Sequence, residues 1–116
     1  MPDYALSLEK ITKTYGYFAE RVIALKEISL QIGEGDFLAI MGPSGAGKTT
    51  LLTILGAMNR PTSGRVLIGN QDVYQLADRK LADFRNEKIG FVFQQYHLVP
   101  YLTVLQNVLV PLAVAR

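Results

Sequence analysis

Residues 42–49 read Gly42-Pro-Ser-Gly-Ala-Gly-Lys-Thr49, and no other stretch of the chain is so constraining. The spacing G-x-x-x-x-G-K-[ST] is met without a mismatch. Glycines let the backbone curl until successive N–H groups converge on one anion. Lys48 is placed to reach outer phosphates as a positive charge, and the Thr49 hydroxyl to bind a Mg²⁺ ion. A helix beginning here would turn its positive end toward the same phosphates. With Gly at about 7% of residues, a random chain of this length meets the pattern roughly once in a few hundred trials. The flanks narrow it further. Phe37-Leu-Ala-Ile-Met41 is an apolar run of strand length, and Leu51, Leu52, Ile54, Leu55 and Met58 recur at helical spacing. Strand, glycine loop and helix form the setting a phosphate cradle needs. A Gly-rich turn that binds nothing has no such requirement.

Composition sets the limits around this motif. At 116 residues, 49% of them hydrophobic, the chain has material for one domain or part of one. The net charge is +2 and the 12 basic residues are scattered, so no nucleic-acid partner is expected. The lack of Cys excludes a disulfide framework and a thiolate metal centre, and agrees with a reducing compartment. The start, Met1-Pro-Asp-Tyr-Ala-Leu-Ser-Leu-Glu9, lacks a basic segment followed by an apolar block, so no secretory signal is expected. From Ile89 to Ala115 there is no Lys, Arg, Asp or Glu, a length that reaches across a bilayer. However, Gln94, Gln95, His97, Gln106 and Asn107, with Pro100 and Pro111 as breakers, argue against a spanning helix. We expect instead an apolar surface that packs on another protein or on further residues of the same one.

Local patterns place the other elements. Tyr4, Leu6 and Leu8 alternate as on a half-buried strand, and Ile28, Leu30 and Ile32 do the same before a turn at Gly33-Glu-Gly-Asp36. These predict an antiparallel β unit ahead of the phosphate loop. Phe37–Met41 is expected as a buried parallel strand. The helix after the loop is expected to run to about Asn59, before Pro61. A turn at Pro61-Thr-Ser-Gly64 and a short strand at Arg65–Ile68 follow. Asp78 is a candidate cap for a helix carrying Leu81 and Phe84 on one face. Ile89-Gly-Phe-Val-Phe93 reads as a second apolar strand. Thr103-Val-Leu-Gln106 fits a capping box, so a helix is expected to start near Val104 and to be kinked or restarted by Pro111.

Three separated features together resemble the N-terminal half of an ABC-transporter ATPase subunit. They are the loop extended to Gly42–Thr50, Tyr15 in Lys13-Thr-Tyr-Gly16, and Gly90-Phe-Val-Phe-Gln-Gln-Tyr-His-Leu-Val-Pro100. Pro61-Thr-Ser-Gly64 and Leu102-Thr-Val-Leu-Gln-Asn-Val108 also read like this family, and the resemblance covers essentially the whole chain. It implies an α/β P-loop NTPase fold of ABC type, here incomplete. Residues 1–36 would be mainly the antiparallel β unit, 37–95 part of a RecA-like core, and 96–116 the start of a helical subdomain.

The resemblance also implies roles. Gly42, Pro43, Ser44, Gly45, Ala46, Gly47, Lys48, Thr49 and Thr50 would cradle the phosphates of ATP, and Tyr15 would stack on adenine. Gln94 would contact Mg²⁺ and water together with Thr49, so that Lys48 and Gln94 serve catalysis. Each residue has a plainer reading: Tyr15 as a strand-end aromatic, Gln94 as a polar strand terminus. His97 is read as a loop residue, since the family's catalytic histidine lies later. Tyr96, Tyr101 and the Leu/Val run after them read first as core, and second as the surface that meets a helix of the membrane subunit. The stretch Tyr17–Leu25 before Lys26-Glu-Ile-Ser-Leu30, and the text around Gln94, look like the lipoprotein-releasing and macrolide-export type. Gln106 stands where that group would have Glu.

The implied function is the ATP-binding subunit of an exporter, coupling ATP binding and hydrolysis to transport. Its partners would be a second ATP-binding subunit in a head-to-tail dimer and an integral membrane subunit. Its place would be cytoplasmic, on the inner face of the cell membrane. A working member also needs an acidic strand end, a water-orienting Glu, a Ser-Gly-Gly-Gln-type signature and a switch histidine. No Asp or Glu follows Gln94, and no Ser-Gly-Gly run occurs. We therefore expect a truncated subunit that binds ATP without turnover. The alternative is a non-catalytic nucleotide- or partner-binding fragment. A soluble ABC-type ATPase is disfavoured by the short stretch from Lys48 to Gln94, and a GTPase by the lack of Asn-Lys-x-Asp.

Overall fold

Strand propensity is highest at the N-terminus, and the longest strands form there. The computed structural model describes residues 4–95 and 97–114. Strand β1 spans Tyr4–Tyr15 and pairs antiparallel with β2, Val22–Gly33, across a 3₁₀ turn at Phe18–Glu20. The register breaks between Leu8 and Ile11, where Lys10 (φ 48°) bulges out, and again between Ile11 and Lys13, where Glu27 of β2 (φ 46°) does. The amides released there find side-chain oxygens: Lys10 N–H donates to Ser29 Oγ at 3.0 Å and Glu27 N–H to Thr12 Oγ1 at 3.1 Å. Beyond the loop, helix α1 spans Lys48–Leu55, strand β3 Ser63–Ile68, strand β4 Gln71–Asp72 and helix α2 Asp78–Lys88. Helix α3 spans Val104–Val114. The four strands form one sheet in the order β2-β1-β3-β4.

The core forms where one sheet face meets α1 and α2. Leu8, Ile11, Leu25 and Val66 from the strands are buried against Ile54, Ala57, Val73, Tyr74 and Leu81. Burial of this kind supplies most of the stabilisation. The polar groups that enter the core are paired. The Tyr74 hydroxyl donates to the Ile54 carbonyl at 2.6 Å, and Arg85 donates to the Ala57 carbonyl at 2.9 Å. Burial pushes the Tyr74 phenol up to about 12.

Several expectations hold. The antiparallel unit, the 33–36 turn, the short strand through Ile68 and the inward faces of Leu81 and Phe84 are all present. The capping box is complete: Gln106 N–H donates to Thr103 Oγ1 at 3.1 Å, and Thr103 N–H to Gln106 Oε1 at 2.9 Å. Helix α3 starts at Val104 as expected and runs on through Pro111.

Four expectations are corrected. Phe37–Met41 is not a buried strand: Phe37 is 100% exposed and Met41 88%. Ile89–Phe93 is not a strand either, although Ile89 packs on the core. An apolar run has strand propensity, but a strand exists only against a hydrogen-bonding neighbour. Among the described residues the sheet is wholly antiparallel and offers none beside these segments. Helix α1 stops at Leu55, short of Asn59. Met58 N–H donates to the Thr53 carbonyl (3.0 Å) and Ala57 N–H to that of Ile54 (3.3 Å), with Ala57 left-handed at φ 60°. This is a Schellman stop. Finally, Ala77 rather than Asp78 is the N-cap of α2. Asp78 occupies the first helical turn, where its charge favours the helix dipole. It lies 3.6 Å from Arg60.

Candidate nucleotide site

The loop between residue 42 and α1 is held by its glycines. Gly45 (φ 83°) and Gly47 (φ 92°) are left-handed. Gly47 also lies so close to β2 that a Cβ there would meet the Ala24 carbonyl oxygen at 2.8 Å. Only glycine satisfies both demands. The bond from Leu51 N–H to the Gly47 carbonyl, 2.9 Å, closes the first turn of α1. The amides of Lys48, Thr49 and Thr50 precede that bond and are the helix's free donors.

Helix start and loop line a cavity of about 510 Å³. Ser44, Gly45, Gly47, Lys48, Thr49 and Thr50 form one wall, Val22, Ile23 and Ala24 of β2 a second, and Gln94 closes it. The volume suits a small-molecule ligand. Gln94 arrives by a traceable route. Phe91 packs against Gly56, just past the end of α1, since a Cβ on Gly56 would lie 3.2 Å from its ring. Three extended residues from Phe91 cover roughly 10 Å, close to the roughly 12 Å length of an eight-residue helix. The chain therefore returns beside α1 and delivers Gln94 to its N-terminus. Tilted ring contacts of Phe93 with Phe91 (4.6 Å between centroids) and His97 (4.4 Å) brace the turn.

The other site candidates are near the cavity without lining it. Gly42 and Pro43 offer their carbonyls to the Lys48 ammonium, the second at 2.8 Å. Ala46 N–H donates to the Pro43 carbonyl at 3.2 Å. Tyr15 stands opposite Val22 in the β1–β2 register, which sets it at the mouth. Hydrogen bonds from Thr50 and Asn59 hold its phenol below the ordinary tyrosine value. His97 lies in the loop, as expected, and Tyr96 falls outside the described residues.

The donors fit a phosphate with a hard cation. Lys48 and the start of α1 bring a positive charge and amide donors to the cavity, and the Thr49 hydroxyl and the Gln94 amide oxygen are neutral oxygen donors of the kind Mg²⁺ accepts. Among the described residues no group of three or more His, Cys, Asp or Glu offers a metal site. The β2 wall at residues 22–24 and the partners of Tyr15 escaped the sequence reading. Pairing register places the first, and register is set by bulges that leave little mark in the sequence.

Comparison with known proteins agrees with this geometry. The family model described as ABC transporter matches residues 25–116. The lipoprotein-releasing system ATP-binding protein LolD of Geobacter metallireducens is 51% identical over 95% of this chain and 49% of its own length. The macrolide export ATP-binding/permease protein MacB of Syntrophobacter fumaroxidans is 47% identical over 95% of this chain and 15% of its own. The ATP-binding cassette MJ0796 of Methanocaldococcus jannaschii, solved as a dimer in a post-hydrolysis state bound to ADP and Pi, superposes with a TM-score of 0.87 at 49% identity. That match covers 93% of this chain and 47% of the solved one. The chain spans about half the length of the curated ATP-binding proteins it matches. With the loop, the β2 wall and Gln94 gathered at one cavity, and the family model matched over most of the sequence, the chain belongs to the ABC transporter ATP-binding family.

Proposed function

We propose that this chain supplies the phosphate cradle of an ATP-binding subunit in an ABC transporter of the export or lipoprotein-release type. The observation that carries the reading is the cavity that joins Ser44, Gly45 and Gly47–Thr50 to Gln94, residues far apart in sequence. Residues 42–50 bind the ATP phosphates, Thr49 and Gln94 hold Mg²⁺, and Tyr15 stacks on adenine. Mg²⁺ held there would supply neutralisation of the phosphate charge. Lys48 neutralises the outer phosphates, and Gln94 orients water near them.

The chemistry of phosphoryl transfer is mostly positioning and charge stabilisation. Lys48, Thr49 and Gln94 provide part of that. The water-orienting carboxylate and signature that the family uses do not occur among these 116 residues. Alone, this chain would bind ATP without turning it over. In its natural protein the subunit would pair head to tail with a second and act on a membrane subunit from the inner face of the cell membrane. Among the described residues no helix is long and apolar enough to cross a membrane. Residues 37–95 would belong to a RecA-like core and 96–116 to a helical subdomain. The test is equilibrium ATP binding to the natural protein. Lys48→Ala removes a charge-assisted contact and should weaken ATP by about 10–100-fold. Unchanged affinity would place the nucleotide elsewhere.

A further inference from the structure

Tyr15 is held at several points, and one of its partners lies outside every motif described above. Asn59 Nδ2 donates to the Tyr15 hydroxyl at 3.0 Å and to Thr53 Oγ1, one turn up α1, at 3.2 Å. The Schellman stop after Leu55 creates this contact, because the chain reverses at Ala57 and brings Asn59 back toward β1. Had α1 continued to Asn59, the residue would lie further along the helix axis, away from the strand end. Lys13 adds a second restraint. Its ammonium donates to the Arg60 carbonyl at 2.7 Å and sits 5.2 Å from the Tyr15 ring centroid. One ring face is therefore taken by a tethered cation, and the other remains for a planar ligand. Tyr15 itself stays 45% exposed, too open for packing alone to fix its ring.

We infer that Asn59 is a positioning residue for nucleotide binding, clamping the Tyr15 ring to α1 so that the adenine platform and the phosphate loop keep one fixed separation. This rests on the reading of Tyr15 as the adenine platform. A flexible tyrosine must lose rotamer freedom when a base stacks on it, and a clamped one has already done so. Asn59 donates to Tyr15 and Thr53 and reaches Thr50 only through them, so its loss should weaken binding of the base more than of the phosphates.

The experiment compares affinity for ATP and for inorganic triphosphate in the natural protein, across Asn59→Ala, Tyr15→Phe, their double variant and Tyr15→Ala. Asn59→Ala should weaken ATP by about 3–10-fold, the size of one net hydrogen bond, and leave triphosphate unchanged, whereas Tyr15→Phe also loses the Thr50 contact and should weaken ATP by at least as much. The double variant should be no weaker than Tyr15→Phe alone, because that change already removes the Asn59–Tyr15 bond. Multiplying losses in the double variant, or an equal loss of triphosphate in Asn59→Ala, would overturn the inference. If Tyr15→Ala impairs ATP while Asn59→Ala is silent, the inference alone fails. If Tyr15→Ala is silent, the platform reading fails and the inference with it. Should Asn59→Ala not fold, Tyr15→Phe carries the test, and normal ATP affinity there would reject the clamp.

Discussion

At the scale of single residues, Gly47 shows how tightly the loop is specified. It is left-handed, starts α1 and touches the Ala24 carbonyl. Gly47→Ala should cost about 1–3 kcal/mol through strain at that position. It should also weaken ATP binding, because α1 must move off β2; a thermal melt and a titration check both effects. Tyr74 makes a different prediction. Burial raises its phenol to about 12 in the folded protein, above the ordinary value of 10.0. Its contribution is therefore complete below pH about 10 and is lost as pH climbs through about 12. Tyr74→Phe should lose the bond to the Ile54 carbonyl at neutral pH, yet show a shallower fall in stability above pH 10. Denaturant midpoints along a pH series measure this.

At the scale of elements, legibility divides by the range of the interaction. The capping box at Thr103 and Gln106, the 33–36 turn and the alternation in β1 and β2 are local, so side-chain identity and spacing were enough to read them. The stop of α1 was misplaced because a left-handed Ala57 gives no sequence signal of the kind glycine would. The strands expected at 37–41 and 89–93 depend on a neighbouring strand, and apolarity alone cannot supply one. The candidate site shows the same division. The loop is a contiguous motif and was fully legible. Gln94 was reached through a family resemblance, whereas residues 22–24 and Asn59 depend on register and on a helix stop. Thr103→Ala should remove the reciprocal cap and cost about 1 kcal/mol. Faster amide hydrogen exchange at residues 104–107, with β1 unaffected, is the expected signature.

At the scale of the whole molecule, the apolar segments explain the dimensions. The radius of gyration is 16.1 Å, against about 13 Å for a closed domain of this length. Phe37, Met41 and Val92 are all largely exposed, and so are Val104, Val108 and Leu112 along α3. Such a surface favours association. The isolated 116-residue polypeptide should accordingly be marginally stable or associate. A cooperative, high-temperature melt of a pure monomer would contradict this. The proposed function rests on the cavity where the loop and the distant Gln94 meet. The most direct measurement is ATP affinity of the natural protein with and without Mg²⁺, in the unaltered sequence and in Gln94→Ala. Affinity without the metal should be equal in the two, and the enhancement by Mg²⁺ should be largely lost in the variant. An undiminished Mg²⁺ enhancement in Gln94→Ala would contradict the proposed function.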